Sequence, residues 1–399
     1  MGQFSMEITR PTGSIRRENQ YGRLHFDRGP IAGGTTFADP VEIIQAGGPD
    51  DLPAAFDALE RARGAGRWLA GFANYELGYQ MDARLSRLLP PDRATPLLQF
   101  GVFDAPSASA RYVTAAQDLA RHASLSPFTP AWDLARYRAA FDQVHAYIEA
   151  GDVYQVNLTF PLIAHVTGAP LGLYLALAAR QPVAHGAFVD LGGPILLSRS
   201  PELFFRVDET GRIETRPMKG TSPRGRDAAE DAARRDWLAA DPKNRAENLM
   251  IVDLLRNDLA RIAEVGSVRV PELFQVETFA TVHQMTSRVE AQLRPGLSLL
   301  DLFMALFPCG SITGAPKIRA MEIIRALEPA PREAYCGAIG WISPTGAMEF
   351  NVAIRTLLLP GDGTARLNVG GGVVHDSTAE AEYEEALWKT RFAIVPPTT

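Results

Sequence analysis

At 399 residues, with 46% hydrophobic and 22% charged side chains, the chain has the composition of an ordinary globular protein. Its net charge is −6 and no basic run is interleaved with aromatics, which argues against nucleic acid as a partner and makes any anion site a local one. The only cysteines are Cys309 and Cys336, too few and wrongly spaced for a disulfide scaffold or a metal knuckle, so a reducing, cytoplasmic setting is expected. The opening MGQFSMEITRPTG has no apolar leader segment, and Met6 stands where myristoylation wants Ser or Thr. No run approaches about 18 apolar residues, so no membrane span is expected.

In chain order, residues 1 to about 125 mix β-like runs, RWLAGFANYELGY and PLLQFGVFD, with one helix, LPAAFDALERARGAG. SLSPFTPAWD, residues 124–133, reads as a linker by its Ser and Pro content. An amphipathic helix follows, LARYRAAFDQVHAYIEAGD, ended by Gly151, and then a strand, VYQVNLTFPL. Period two puts Val153, Gln155, Asn157 and Thr159 on one face of that strand, with Tyr154, Val156, Leu158 and Phe160 on the other. The helix DPKNRAENLMIVDLLRNDLARIAEV has Asp241 as its cap and Pro242 at its first position. The last helix, STAEAEYEEALWKTRFAIV, opens on Ser377 with Glu380 three residues later, a capping-box pattern. Strands and helices do not alternate regularly, which predicts an α+β layered fold rather than a doubly wound sheet.

In TRPMKGTSPRG, Lys219 stands between a proline that stiffens the strand and a glycine that permits a tight exit. Such a side chain is aimed. On the last helix Glu382, Glu385 and Lys389 share one face, and Glu247 lies early on the other acidic helix; these carboxylates suit a solvated face as well as a magnesium site. GSITGAPK lacks phosphate-loop spacing, and NVGGGVV lacks the dinucleotide fingerprint, although its glycines would let a carboxylate approach the backbone. No Ser-His-Asp or Cys-His arrangement stands out, and His283 reads as structural. From the residues alone, an enzyme acting on a small anion and a binding module both remain open.

DVYQVNLTF, SRSPELFF, TRPMKGT, KNRAENLMIVDLLRNDLARIA, FPCGSITGAPKIRAMEIIRALEP, YCGAIGW, NVAIRTL and GGGVVHDSTAEAEYEEALWKTR occur in that order. Together they resemble the chorismate-utilising enzymes: the anthranilate, aminodeoxychorismate, isochorismate and salicylate synthases. The resemblance implies one layered α/β sandwich around two antiparallel sheets. Residues 1–125 would be its variable part and 126–395 its chorismate-binding catalytic region, so the linker is not expected to divide two domains.

Within the family, PMKGT is similar to the aminodeoxychorismate branch, whereas the anthranilate branch has alanine at the position of Lys219. The resemblance implies that Lys219 is a nucleophile with a lowered pKa and that Glu202 is a general acid with a raised one. Gln155 stands where the isochorismate branch has a water-activating lysine. Glu247 and Glu385, with Glu382 adjoining, match ligands of Mg2+. Tyr335, Arg355, Lys389, Gly370, Gly371 and Gly372 match carboxylate-binding groups, and Ser311 and Thr313 join Gln155 in lining the substrate. Two departures are Asn244, at a position often acidic, and Gln284, where the anthranilate branch resembles MHLVS.

The implied reaction takes chorismate and ammonia to 4-amino-4-deoxychorismate. The implied partners are a separate glutamine amidotransferase subunit as ammonia source and a separate lyase acting on the product to give 4-aminobenzoate for folate. Anthranilate synthesis, or chorismate binding without catalysis, are the alternatives.

Overall fold

Alternating and continuous apolar runs in this chain build two antiparallel sheets that face each other. The computed structural model describes residues 22–279 and 282–395; the N-terminal stretch read above for leader and lipid signals lies outside them. One sheet runs from Gly314–Ala315 through Gln155–Thr167, Thr364–Val373, Thr356–Leu359, Ile195–Ser200 and His185–Asp190 to Arg23–Phe26, Thr35–Ala38 and Ser107–Ala108. The other runs from Met218–Pro223 through Val282–Gln292, Arg212–Arg216, Leu203–Val207, Met348–Val352 and Ala338–Ile342 to Trp68–Ala73, Leu98–Phe103 and Glu42–Ala46. Arg23–Phe26 pairs with His185–Asp190, and Trp68–Ala73 with Ala338–Ile342. Residues on both sides of position 125 therefore build the same two sheets.

The sheets meet through side chains such as Phe26 and Phe37 of one and Phe72, Phe103 and Trp341 of the other. Phe37 and Phe103 lie 5.3 Å apart, ring to ring. Each such buried aromatic contributes about 1.5–3 kcal/mol, and tilted ring pairs add to that. A layered α+β fold follows, as the pattern of elements predicts.

Helix starts follow their capping residues. Asp133 accepts from Arg136 N at 2.8 Å, and Leu134–Glu149 buries Tyr137, Ala140, Phe141 and Val144. Asp241 accepts from Asn244 N at 2.9 Å, and Pro242–Ala260 buries Ile251, Val252, Leu255 and Leu259. The last helix departs from expectation. It spans Ala379–Trp388 with Thr378 at its cap and no side-chain capping bond. The Ser377 hydroxyl instead donates to Glu382 Oε1 at 2.7 Å, and Glu380 pairs with Arg138. The Ser377 oxygen accepts from Val374 N at 3.1 Å, before the helix, rather than from a helical N–H.

The stretch 124–133 is not a free linker. Ser124–Leu125 and Thr129–Pro130 both pair with Gln155–Thr167, and Trp132 stacks on Phe160. A helix at Ala110–Ala120, unanticipated from the sequence, packs against Pro170–Arg180. A Cβ on Gly172 would lie 2.3 Å from Leu119 O, so these two helices approach closely. Among the described residues, no helix is long and apolar enough to cross a membrane.

Candidate active site

The strands Gln155–Thr167 and Thr364–Val373 pair with Gly370 opposite Thr159 and Gly372 opposite Asn157. The three glycines leave space that other groups fill. A Cβ on Gly370 would lie 2.1 Å from Leu158 O, so that position answers to backbone packing. One on Gly371 would lie 2.6 Å from Glu382 Oε2. One on Gly372 would lie 2.8 Å from Gln155 Cδ and 3.0 Å from Lys219 Nζ. Glycine at 371 therefore lets a carboxylate, and glycine at 372 an amide and an amine, come up against this strand.

Gln155 is fully buried, yet neither its amide nitrogen nor its amide oxygen has a hydrogen-bond partner. Thr159 Oγ1 is likewise buried without one. Orphaned polar atoms inside a protein are costly, by about 1–3 kcal/mol each, and mark places where a ligand or water completes the set.

Lys219 lies on the strand Met218–Pro223, and Gly220 turns the chain with φ +94°. Burial lowers the pKa of its amine, and the Lys389 ammonium adds to that effect. Glu247, Glu202 and Glu382 pull in the other direction without cancelling it. The backbone here is held by amides: Gln284 Nε2 donates to Gly220 O at 2.8 Å, and Thr221 Oγ1 donates to Gln284 Oε1 at 3.0 Å. The amide of Asn248 reaches Lys219 O at 3.5 Å and accepts from Ser287 Oγ at 2.6 Å. The other departure, Asn244, donates to Asp241 Oδ2 at 2.8 Å and lies against Gly220.

Glu202 is 4% exposed, and burial pushes its carboxyl up to about 7. The Ser311 hydroxyl, 2.7 Å from Glu202 Oε1, and the charges of Lys219 and Arg355 oppose this. Arg355 takes φ +50°, unusual for a side-chain-bearing residue. Burial lowers the pKa of its guanidinium against the pull of Glu202.

Three carboxylates complete the group. Burial raises Glu382, helped by the charge of Glu385 and opposed by the Ser377 hydroxyl. Glu385 is the more open, with 59% of its side chain exposed. Partial desolvation acts upward on it, but the Lys389 ammonium at 2.8 Å, with the charges of Lys219 and Lys243, outweighs that and leaves it below its ordinary value. Lys389 also donates to Gly370 O at 2.8 Å. Glu247, half-buried on the helix Pro242–Ala260, is the strongest acidic influence on Lys219. Among the described residues no three acidic, His or Cys side chains are already gathered into a cage. Magnesium does not need one: it takes one or two carboxylates and fills its shell with water and substrate oxygens. The all-oxygen donor set fits that ion.

Two predicted substrate residues are less directly engaged. The Thr313 hydroxyl donates within its own turn, to Cys309 O at 3.2 Å and Gly310 O at 3.3 Å. Tyr335 is buried beside Cys336, Arg332 and Glu328. The cysteines are inert, since burial pushes both thiols up to about 12. His283 is buried between Thr278 Oγ1 and Asp231 Oδ1, each at 3.0 Å, a structural role. A cavity of about 650 Å³ surrounds the Lys317–Asp258 pair, and Lys219 does not line it. Sequence reasoning passed over Glu328 and Arg332; a charged pair at i, i+4 next to the apolar AYCGAIG was the signal available.

With two facing sheets and a glycine-lined cluster of acids and amines between them, the chain belongs to the family of chorismate binding enzymes, whose family model matches residues 32–395. It is 49% identical over 253 residues to aminodeoxychorismate synthase component 1 of Klebsiella aerogenes, a match covering 63% of this chain and 56% of that protein. The corresponding protein of Escherichia coli K12 is 39% identical over 377 residues, covering 89% of this chain and 82% of its own length. The chain thus spans little more than half of the first relative and most of the second. Among solved structures, anthranilate synthase component I from Streptococcus pneumoniae superimposes with a TM-score of 0.77 at 27% identity, covering 98% of this chain and 95% of that one.

Proposed function

We propose that this protein aminates chorismate at C4, as component I of an aminodeoxychorismate synthase. The observation that carries the reading is Lys219: an amine with a lowered pKa, packed against Gln155 and Gly372 and under the charge of Glu202. Support comes also from the relatives named as component 1 of that synthase.

The neutral Lys219 amine adds at C2 of chorismate, the ring double bonds shift, and the C4 hydroxyl departs as water on a proton from Glu202. Ammonia then attacks C4, the double bonds shift back, and the Lys219–C2 bond breaks. The proton shed by the new ammonium can return to Glu202 or to the leaving amine. Two displacements at the ring thus replace one, and nitrogen is directed to C4. Arg355 and Lys389 hold substrate carboxylates, Arg355 by a planar fork that lysine cannot reproduce. Gln155 has no basic atom at neutral pH, so it does not activate water at C2; its orphaned amide completes its bonds on the bound ligands.

Glu247 and Glu385, with Glu382 adjoining, would hold magnesium, which when bound neutralises and fixes the substrate's ring carboxylate. Ammonia is supplied by a glutamine amidotransferase component, as the name component 1 of the relatives suggests, and a lyase consumes the product. The setting is cytoplasmic.

The test is product analysis by chromatography and mass spectrometry with purified protein, chorismate, magnesium and ammonium at mildly alkaline pH. 4-Amino-4-deoxychorismate, converted to 4-aminobenzoate by added lyase, is the expected product. Anthranilate instead would overturn the assignment, and tight chorismate binding without turnover would make the protein a binding module.

A further inference from the structure

The strand Gln155–Thr167 and the turn Gly310–Ile312 form two walls of the site from distant parts of the chain, and one side chain bonds to both. Arg332 is 2% exposed. Its Nη2 donates to Asn157 O at 2.6 Å and its Nη1 to Ile312 O at 3.2 Å. Glu328 grips the same guanidinium, accepting from Nε at 2.8 Å and from Nη2 at 2.7 Å. Glu328 Oε1 also accepts from Thr159 N at 2.8 Å, so the pair touches the strand at two points. Beneath it the guanidinium lies over the Tyr75 ring at 4.6 Å, and Arg332 N donates to Glu76 Oε1 at 2.7 Å.

A buried ion pair is weak evidence of a stabilising role, because desolvation offsets most of the attraction and packed apolar side chains serve as well. What apolar side chains cannot do is bond two carbonyls at once. The fork of arginine has five donors in fixed directions; lysine has one nitrogen. Ile312 adjoins Ser311, whose hydroxyl rests on Glu202.

We infer that Arg332 is a positioning residue: together with the backbone bond from Asn157 N to Thr313 O at 2.8 Å, it sets the spacing of the 155–159 strand against the 310–312 turn, and so keeps the Ser311 hydroxyl on Glu202. The inference rests on Glu202 being the proton donor. Arg332 touches no substrate; it acts through the two walls.

The test is a double-mutant cycle of Arg332→Lys and Ser311→Ala, with kcat, KM and the pH profile of kcat measured on folded protein. Arg332→Lys is expected to lower kcat about 10–100-fold, with KM for chorismate little changed, since small misplacements at a reacting group have effects of that size. Ser311→Ala should move the alkaline limb of the profile. The double variant should be no worse than the worse single variant, because both changes break one linkage. Multiplying effects, with the limb still moved by Ser311→Ala, would overturn the role of Arg332 alone. If Ser311→Ala changes neither kcat nor the limb, the Glu202 reading falls and this inference falls with it. Should Arg332→Lys not fold, Glu328→Gln keeps an acceptor for Thr159 N, and the same cycle run with it separates the same two outcomes.

Discussion

Replacing Glu202 with glutamine removes a titrating proton while keeping the side chain's shape and an acceptor for Ser311. The carboxyl is displaced from 4.5 to about 7 in the folded protein, with burial as the main cause. Between those values the folded state binds a proton that the unfolded state has released. Stability therefore falls as pH rises from 4.5 to about 7 and stays reduced above it. At about 1.4 kcal/mol per pH unit the full effect is on the order of 3 kcal/mol, and below pH 5 less than about 1 kcal/mol of it is present. Glutamine never ionises, so Glu202→Gln should unfold at higher denaturant than the parent at pH 8 and at nearly the same concentration at pH 5. Titrating groups that Glu202 does not influence are common to both proteins and cancel in the difference; Lys219, which feels the Glu202 charge, is the exception. The same variant should lose about 10²–10⁴ in kcat, the usual worth of a general acid. A stability difference that is equal at the two pH values would refute the reasoning, because the proton at Glu202 would then not be the source.

Lys219→Ala is expected to lose C4 amination by at least about a hundredfold while still folding, as read by mass spectrometry of the product; full retention would exclude the amine as nucleophile. Parent protein held with chorismate without ammonia should gain the mass of the dehydrated substrate on the peptide carrying Lys219. Gly370→Ala forces a methyl to within 2.1 Å of a backbone oxygen and should destabilise the fold by about 1–3 kcal/mol, whereas Gly372→Ala meets movable side-chain ends and should spare the melting temperature while lowering kcat. Equal melting losses in the two would contradict that division. Glu385→Gln should raise the magnesium concentration needed for half-maximal activity at least about tenfold, measured by titration, and an unchanged requirement would remove Glu385 from the ligand set.

Local chemistry was legible in the sequence. Asp241 caps its helix as its sequence indicates, because a cap needs only three or four consecutive residues. Ser377 does not cap its helix: its oxygen accepts from Val374 N in the preceding loop while its hydroxyl donates to Glu382. The length of the strand Gln155–Thr167 and the pairing of 124–133 along it were not legible, since both depend on what lies beside them.

The same division runs through the site. Residue types and their order were enough to single out Lys219, Glu202, Gln155 and the carboxylates, since ordered motifs carry family resemblance without any distance. What they could not supply was environment. That the Glu202 carboxyl is walled off under Ser311, that Gln155 keeps both amide atoms unpaired, and that Arg332 joins two remote carbonyls are consequences of tertiary packing. Protonation and orientation depend on desolvation and on neighbours far away in the chain, and only the folded sandwich brings those neighbours into contact.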